Sequence, residues 1–235
     1  MIKEAIVLAG GLGTRLRSVV SEQPKSMAPI NGRPFLEYQL DGLLAQGIER
    51  IIFSVGYKSD YIINHFKDGY KGAEVVFALE RAPLGTGGAI KNAMQAVQSE
   101  HVLVVNGDSL FLVDIQAEYQ LFLAKEAHLV LALKPMQDFE RYGSVLLDED
   151  DRINAFLEKR PVVEGLINGG VYIFDKTHFD QHTFPQKFSI ERDYFEAMVA
   201  QEKMYGFISD QYFLDIGIPE DFAKAQVEFG RLNLG

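Results

Sequence analysis

The stretch Ile2-Lys-Glu-Ala-Ile-Val-Leu-Ala-Gly-Gly-Leu-Gly-Thr-Arg-Leu16 decides how the chain folds. Ile2 to Leu8 is short, apolar and rich in β-branched residues, as a buried parallel strand requires, and it delivers the chain into three glycines within four positions. Glycines there let backbone N–H groups approach an anion. Arg15 and Lys25, ten positions apart with Pro24 before the lysine, bring fixed positive charge to the place where those N–H groups point. The loop reads as a cradle for a nucleoside triphosphate, with Leu8, Ala9, Gly10, Gly11, Gly13, Thr14 and Arg15 around it. The plainer alternative is a tight strand-to-helix turn with solvated charges. Two better-known phosphate motifs do not fit: a P-loop needs Gly-Lys-Ser/Thr where Gly13-Thr14-Arg15 stands, and a dinucleotide fingerprint needs a small residue at Leu16.

Outward from this loop, apolar runs alternate with amphipathic stretches, the mark of strand and helix units wound into a mostly parallel sheet. The pattern predicts strands at Ile2–Leu8, Ile51–Val55, Glu74–Ala78, Val102–Val105 and Leu129–Leu133, with helices over Pro34–Gln46, Ser59–Phe66 and Gly87–Val97. After about Pro135 shorter strands follow, at Ser144–Leu147, Ile153–Leu157 and Gly170–Phe174. The expectation is one α/β domain over 1–235, with residues 1–135 binding nucleotide and 136–235 forming a small sugar-binding lobe and closing elements.

With 23 Lys and Arg against 33 Asp and Glu, the net charge is −10, which argues against a nucleic-acid partner held by general electrostatics. Cysteine is absent, which excludes disulfides and thiolate metal sites and fits a reducing compartment. Lys3 and Glu4 interrupt any signal-peptide core, and no apolar stretch approaches the ~20 residues of a membrane span. A cytoplasmic location is expected, with no membrane partner and a homodimer as the commonest symmetric assembly.

Val102-Leu-Val-Val-Asn-Gly-Asp108 is a buried strand ending in a carboxylate, at the strand end where open α/β sheets bind ligands. Tyr212-Phe-Leu-Asp-Ile-Gly217 repeats the arrangement around Asp215. Together Asp108 and Asp215 suit one Mg²⁺, a hard cation that takes one or two carboxylates beside substrate phosphates. Taken alone, either aspartate also suits a turn or a helix cap. A second glycine-rich loop, Glu80-Arg-Ala-Pro-Leu-Gly-Thr-Gly-Gly-Ala89, follows a strand and opens a helix. Gly85 can pack on a purine face, and an ionised Glu80 complements the adjacent N1–H and N2 donors of guanine, which favours GTP; a surface ion pair with Arg81 is the alternative. Pro83 and Thr86 of this loop, with Asn106 and Gly107, complete the expected nucleotide contacts.

A third group, Tyr142-Gly143, Glu158-Lys159 and Asn168-Gly169-Gly170, carries the chemistry of a sugar phosphate. Carboxylates and amides grip hydroxyls, glycines admit a ring close to backbone, and a lysine neutralises a phosphate. Singly, Glu158-Lys159 also reads as a solvated pair and Asn168-Gly169 as a hairpin turn. The histidines show no metal-ligand spacing, since His178 and His182, four apart, lack a third partner in the sequence. Tyr57, Tyr61, Phe66 and Tyr70 read as packing residues.

With the Gly-Thr-Arg loop, the Pro-Lys, the Asn-Gly-Asp and the late aspartate in this order, nearly the whole chain resembles the sugar-1-phosphate nucleotidylyltransferases. Through Pro24-Lys-Ser-Met-Ala-Pro-Ile-Asn31, Pro83-Leu-Gly-Thr-Gly-Gly-Ala89 and Leu166-Ile-Asn-Gly-Gly170 it looks most like the family's short guanylyltransferases of D-glycero-α-D-manno-heptose 1-phosphate. The resemblance implies a Rossmann-like, GT-A-like three-layer nucleotidyltransferase fold with a mixed, mostly parallel sheet. It implies Mg²⁺ at Asp108 and Asp215, Arg15 on the triphosphate, Lys25 near the α-phosphate and the sugar phosphate, and Gly143, Glu158, Lys159 and Gly170 facing the sugar. Arg15, Lys25 and Asp108 would then be catalytic. Ser26 departs from the small apolar residue or proline expected after the lysine. The alternatives are a uridylyltransferase for a sugar phosphate such as N-acetylmuramate 1-phosphate, a mannose-1-phosphate guanylyltransferase, and a catalytically silent regulatory subunit that binds nucleotide sugar.

Overall fold

The computed structural model describes residues 1–232 except Leu12, Thr14, Arg15, Arg17, Ser18 and Ser21. In chain order the strands and helices are β1 (Glu4–Leu8), β2 (Pro29–Ile30), β3 (Arg33–Pro34), α1 (Phe35–Ala45), β4 (Arg50–Val55), α2 (Ser59–Phe66), β5 (Glu74–Leu79) and α3 (Gly85–Met94). They continue with β6 (His101–Asn106), β7 (Ser109–Phe111), α4 (Ile115–Ala124), β8 (Leu129–Phe139), β9 (Ser144–Leu147), β10 (Ile153–Leu157) and β11 (Val162–Asp175). The last are α5 (Lys176–Phe179), β12 (Met204–Ile208), β13 (Phe213–Asp215) and α6 (Pro219–Glu228), with a π-helical turn at Glu191–Glu196 ahead of β12.

Strands β5, β4, β1 and β6 run parallel, with Ala5 opposite Ile51 on one side and Leu103 on the other. β11 adds antiparallel to β6, β8 antiparallel to β11, and β12 parallel to β8. Side chains alternate between two cores, as the period of a strand demands. Ala5 and Val7, Ile51 and Phe53, and Leu103 and Val105 face Leu36 and Leu40 of α1, Ile62 and Phe66 of α2 and Phe122 of α4. Ile6, Ile52, Val102 and Val104 face Ile90 and Met94 of α3, Phe179 of α5, and Tyr194 and Phe195 of the π-helical turn. The result is a three-layer α/β fold, helices on both faces of a mixed sheet. Each large apolar side chain so buried stabilises it by roughly 1.5–3 kcal/mol. A third, smaller core joins α6 to the β2–β3 hairpin through Ile30, Phe35, Phe222 and Phe229.

Ser59–Phe66, Ser144–Leu147 and Ile153–Leu157 form as expected, the first four expected strands agree within two residues, and β8 runs six residues past the expected end at Leu133. β11 is far longer than the expected Gly170–Phe174, because strands pair on both its sides: β8 along most of its length, and β9 or β6 on the other edge. Asn168-Gly169 is therefore inside a strand, not a hairpin turn, at a register shift between Asn168 and Tyr172. α4 escaped the pattern reading although Asp114 caps it, accepting the Ala117 N–H at 2.9 Å.

Candidate active site

Every element that carries an expected site residue in the parallel part of the sheet ends or begins at one edge, the carboxyl ends of the strands. β1 leads there into Gly10 and Gly11, β5 into Glu80, and β6 into Asn106, Gly107 and Asp108. A cavity of ≈ 560 Å³ opens between these loops, a size suited to a nucleotide. Leu8, Gly10, Gly11, Glu80, Pro83, Gly85, Thr86, Asn106 and Asp108 line it. Ala9, Gly13 and Gly107 do not line it; Ala9 and Gly107 are buried, Ala9 donating to the Ser54 carbonyl at 2.9 Å, and Gly13 lies against Lys25. Thr14 and Arg15 lie outside the described residues.

Glu80 is held in this cavity by the Ser54 hydroxyl on one oxygen and the Leu84 N–H on the other, each at 3.2 Å. Its approach explains Gly10: a Cβ there would come within 2.4 Å of the Glu80 Oε1. Tyr57, expected only to pack, also lines the cavity, because the Gly56 turn after β4 lifts it to the strand ends.

Two short strands bring the aspartates together. β7 pairs antiparallel with β13, Ser109 opposite Asp215, and the Ile216 N–H donates to the Asp108 carbonyl at 3.0 Å. Lys25, in the turn that follows Pro24, places its Nζ 2.7 Å from Asp108 Oδ2 and 3.4 Å from Asp215 Oδ1. Burial, and then the nearby Asp108 carboxylate, push the Asp215 carboxyl above its usual range; Lys25 and the Gly217 N–H, which donates at 2.7 Å, work in the opposite sense. One ammonium shared by two converging carboxylates leaves negative charge only partly balanced. Hard oxygen donors in that state fit a magnesium ion.

A second cavity of ≈ 320 Å³ continues from Asp108 and Asp215 over Gly143, Lys159, Asn168 and Gly170, and a third of ≈ 440 Å³ extends it to Glu158, Phe156 and Phe195. All the residues expected to face the sugar thus border these two cavities except Lys25, which reaches Asp108 and Asp215 from the side. Asn168 is partly used by the fold itself. Its amide donates to the Tyr172 hydroxyl at 3.1 Å and accepts the Gly170 N–H at 2.9 Å, leaving one N–H and one lone pair for a ligand. Gly170, at φ 75°, is required by the chain itself, since a Cβ would meet the Asn106 amide at 2.6 Å.

Two charged residues at the site went unrecognised in the sequence. Glu191 borders all three cavities and accepts the hydroxyls of Thr86 and Ser189, each at 2.7 Å. Its only local signal is the Ser189-Ile-Glu-Arg-Asp193 run, in which Asp193 accepts the Ser189 N–H as a helix begins. Arg141 borders the second cavity, held by Asp221 at 2.5 Å.

Residues 4–230 match the nucleotidyl transferase family. The chain belongs to that family. A D-glycero-alpha-D-manno-heptose 1-phosphate guanylyltransferase of Aneurinibacillus thermoaerophilus is 52% identical over 96% of this chain and 97% of its own length. A protein of the same description from Campylobacter jejuni is 43% identical over 93% of this chain and 96% of its own. The crystal structure of HddC from Yersinia pseudotuberculosis complexed with GMP-PN superposes with a TM-score of 0.86, at 39% identity, covering 97% of this chain and all of that one. No helix among the described residues is long and apolar enough to cross a membrane.

Proposed function

We propose that the chain transfers the guanylyl group of GTP to D-glycero-α-D-manno-heptose 1-phosphate, forming GDP-heptose and pyrophosphate for a cell-surface polysaccharide. The observation that carries this is the junction of the nucleotide-sized cavity with the second cavity at Asp108, where Lys25 and Asp215 also meet. The similarity to two heptose-phosphate guanylyltransferases along nearly their full length supports the substrate pair. The cytoplasm, which supplies GTP, suits this reaction.

In the reaction an oxygen of the sugar phosphate attacks the α-phosphorus, the bond to the β-phosphate oxygen breaks, and pyrophosphate leaves with the electron pair. Positioning and charge neutralisation carry such a transfer without a covalent enzyme intermediate. Gly10, Gly11 and Gly13 present N–H groups to the triphosphate, and Arg15 adds charge there. Lys25 moves from the aspartates to the oxygens of the α-phosphate and the sugar phosphate. Asp108 and Asp215 would hold Mg²⁺, which when bound supplies charge neutralisation to the phosphates. Glu80 accepts from the guanine edge, beside Pro83, Gly85 and Thr86. Glu158, Lys159 and Asn168 orient the sugar phosphate, with Gly143 and Gly170 giving backbone access.

Pyrophosphate release tests this, with GTP, UTP, CTP, ATP and dTTP each crossed with heptose, mannose, glucose and N-acetylmuramate 1-phosphates in the presence of Mg²⁺. Turnover confined to GTP with the heptose phosphate is expected. A different preferred pair would replace the substrate reading, and no turnover with any pair would favour a nucleotide-sugar-binding regulatory subunit.

A further inference from the structure

The opposite end of the sheet carries a second concentration of ligating groups that guanylyl transfer does not use. Between Asn106 at the active site and His101 at its other end, β6 spans roughly 15 Å, and His101 pairs there with Asp175, the last residue of β11. Around that end His128 Nδ1 lies 2.6 Å and His178 Nε2 2.5 Å from the same oxygen of Glu202. His182 Nε2 lies 3.2 Å from the other. The sequence reading found no third partner for His178 and His182; the fold supplies both His128 and Glu202.

As a hydrogen-bond network the cluster is incomplete. Glu202 is 4% exposed, and among the described residues the buried His182 Nε2 beside it has no hydrogen-bond partner, nor does the hydroxyl of Tyr194, whose ring packs on His182. The His128 and His178 rings stack with centroids 3.5 Å apart, and one nitrogen of each faces the same Glu202 oxygen.

We propose that His128, His178, Glu202 and His182 form a zinc site that clips the starts of β8 and β12 to the turn around α5. The ligand atoms of His128, His178 and Glu202 already lie within 4.8 Å of one another. Zinc coordination at ~2.0–2.2 Å would require the stacked imidazoles to turn their nitrogens inward toward one ion. Imidazole nitrogens with one carboxylate select zinc over magnesium, which prefers an all-oxygen shell. The backbone under the ligands is tied together in advance. His128 N–H donates to the Lys203 carbonyl and Asp175 N–H to the His128 carbonyl, both at 3.0 Å, while Asp175 Oδ1 accepts the His178 N–H at 2.8 Å. With His182, 3.2 Å from Glu202, turning in as the fourth ligand, the site would be closed and structural.

The test titrates zinc chloride into the chelator-stripped full chain by calorimetry, with excess magnesium present to occupy Asp108 and Asp215. One zinc per chain is expected, with affinity lower by about a hundredfold or more in His178→Ala. Zinc raises the melting temperature of the wild type and leaves that of His178→Ala unchanged. Pyrophosphate release by His178→Ala stays at the wild-type rate, which separates this site from the guanylyltransfer reading. Cobalt(II) added to the wild type gives the intense visible bands of a tetrahedral ion, so the site remains testable even if His178→Ala does not fold. Absence of zinc binding under magnesium, equal zinc affinity in the variant, or a cobalt spectrum without those bands overturns the proposal.

Discussion

The two ends of the central sheet treat carboxylates in opposite ways. At the amino end of β1, Glu4 is buried and saturated: it accepts Arg50 Nη1 at 2.6 Å, the Gln98 N–H at 2.9 Å and the Ser99 N–H at 2.5 Å. Burial works against its charge, but the hydrogen bonds from Ser99, Arg50 and Gln98 prevail and hold its carboxyl below the usual range. At the carboxyl ends, Asp108 and Asp215 converge on one lysine, and Asp215 is pushed up instead. The Glu4 carboxylate is fully partnered, whereas the charge at the cavities is left short of partners that a ligand can supply.

The largest effect that can break this comparison lies at Lys25. Lys25→Ala should lower kcat for pyrophosphate release by about a hundred- to thousandfold while circular dichroism stays unchanged. Near-normal turnover would remove Lys25 from the chemistry. Glu4→Ala should do the reverse, costing about 3–5 kcal/mol in urea unfolding because Arg50 loses its buried partner, with turnover of the folded enzyme intact. The Glu4 contribution is complete above the ordinary carboxyl value of 4.5 and is lost as pH falls through the lower folded value, so variant and wild type should converge in acid. Parallel pH profiles would contradict that assignment.

Glu118 sharpens the contrast, since it is buried in α4 with neither oxygen finding a hydrogen-bond partner among the described residues, and burial raises its carboxyl well above 4.5. The folded chain then holds a proton that the unfolded chain has released. Its stabilising contribution is complete below about pH 4.5 and declines as pH rises toward the folded value. Glu118→Leu should therefore gain about 1–3 kcal/mol at neutral pH and flatten that decline, as read from melting curves at several pH values. A loss of stability at pH 7 would show that the carboxyl has a partner in solution. The smallest effect is at Glu80, where Glu80→Gln should reduce the preference for GTP over other triphosphates by about tenfold in competition assays. An unchanged preference would mean that backbone alone reads the base.

Strand and helix periods, the glycine loop after Ile2–Leu8 and the Asn-Gly-Asp at a strand end are local features, so they were legible in one dimension. The expected residues after β1, β5 and β6 come together because parallel strands end on one side, whereas Gly143, Glu158, Lys159, Asn168 and Gly170 reach the neighbouring cavities through the antiparallel pairing of β9, β10 and β11. The full length of β11 was not legible, because pairing with β6, β8 and β9 across long sequence separations extends a segment whose own alternation is weak. Glu191 was hidden in a short Ser-Ile-Glu run that means little until Thr86 lies opposite.

The sequence by itself determined the α/β layering and which residue types stand at the carboxyl ends of the parallel strands, since hydrophobic period and backbone freedom act over a few residues. Only the tertiary structure decided which distant side chains share a space. His128, His178, His182 and Glu202 carry no common spacing, and they meet because β8, β11 and β12 lie side by side and put the start or end of each strand at one edge.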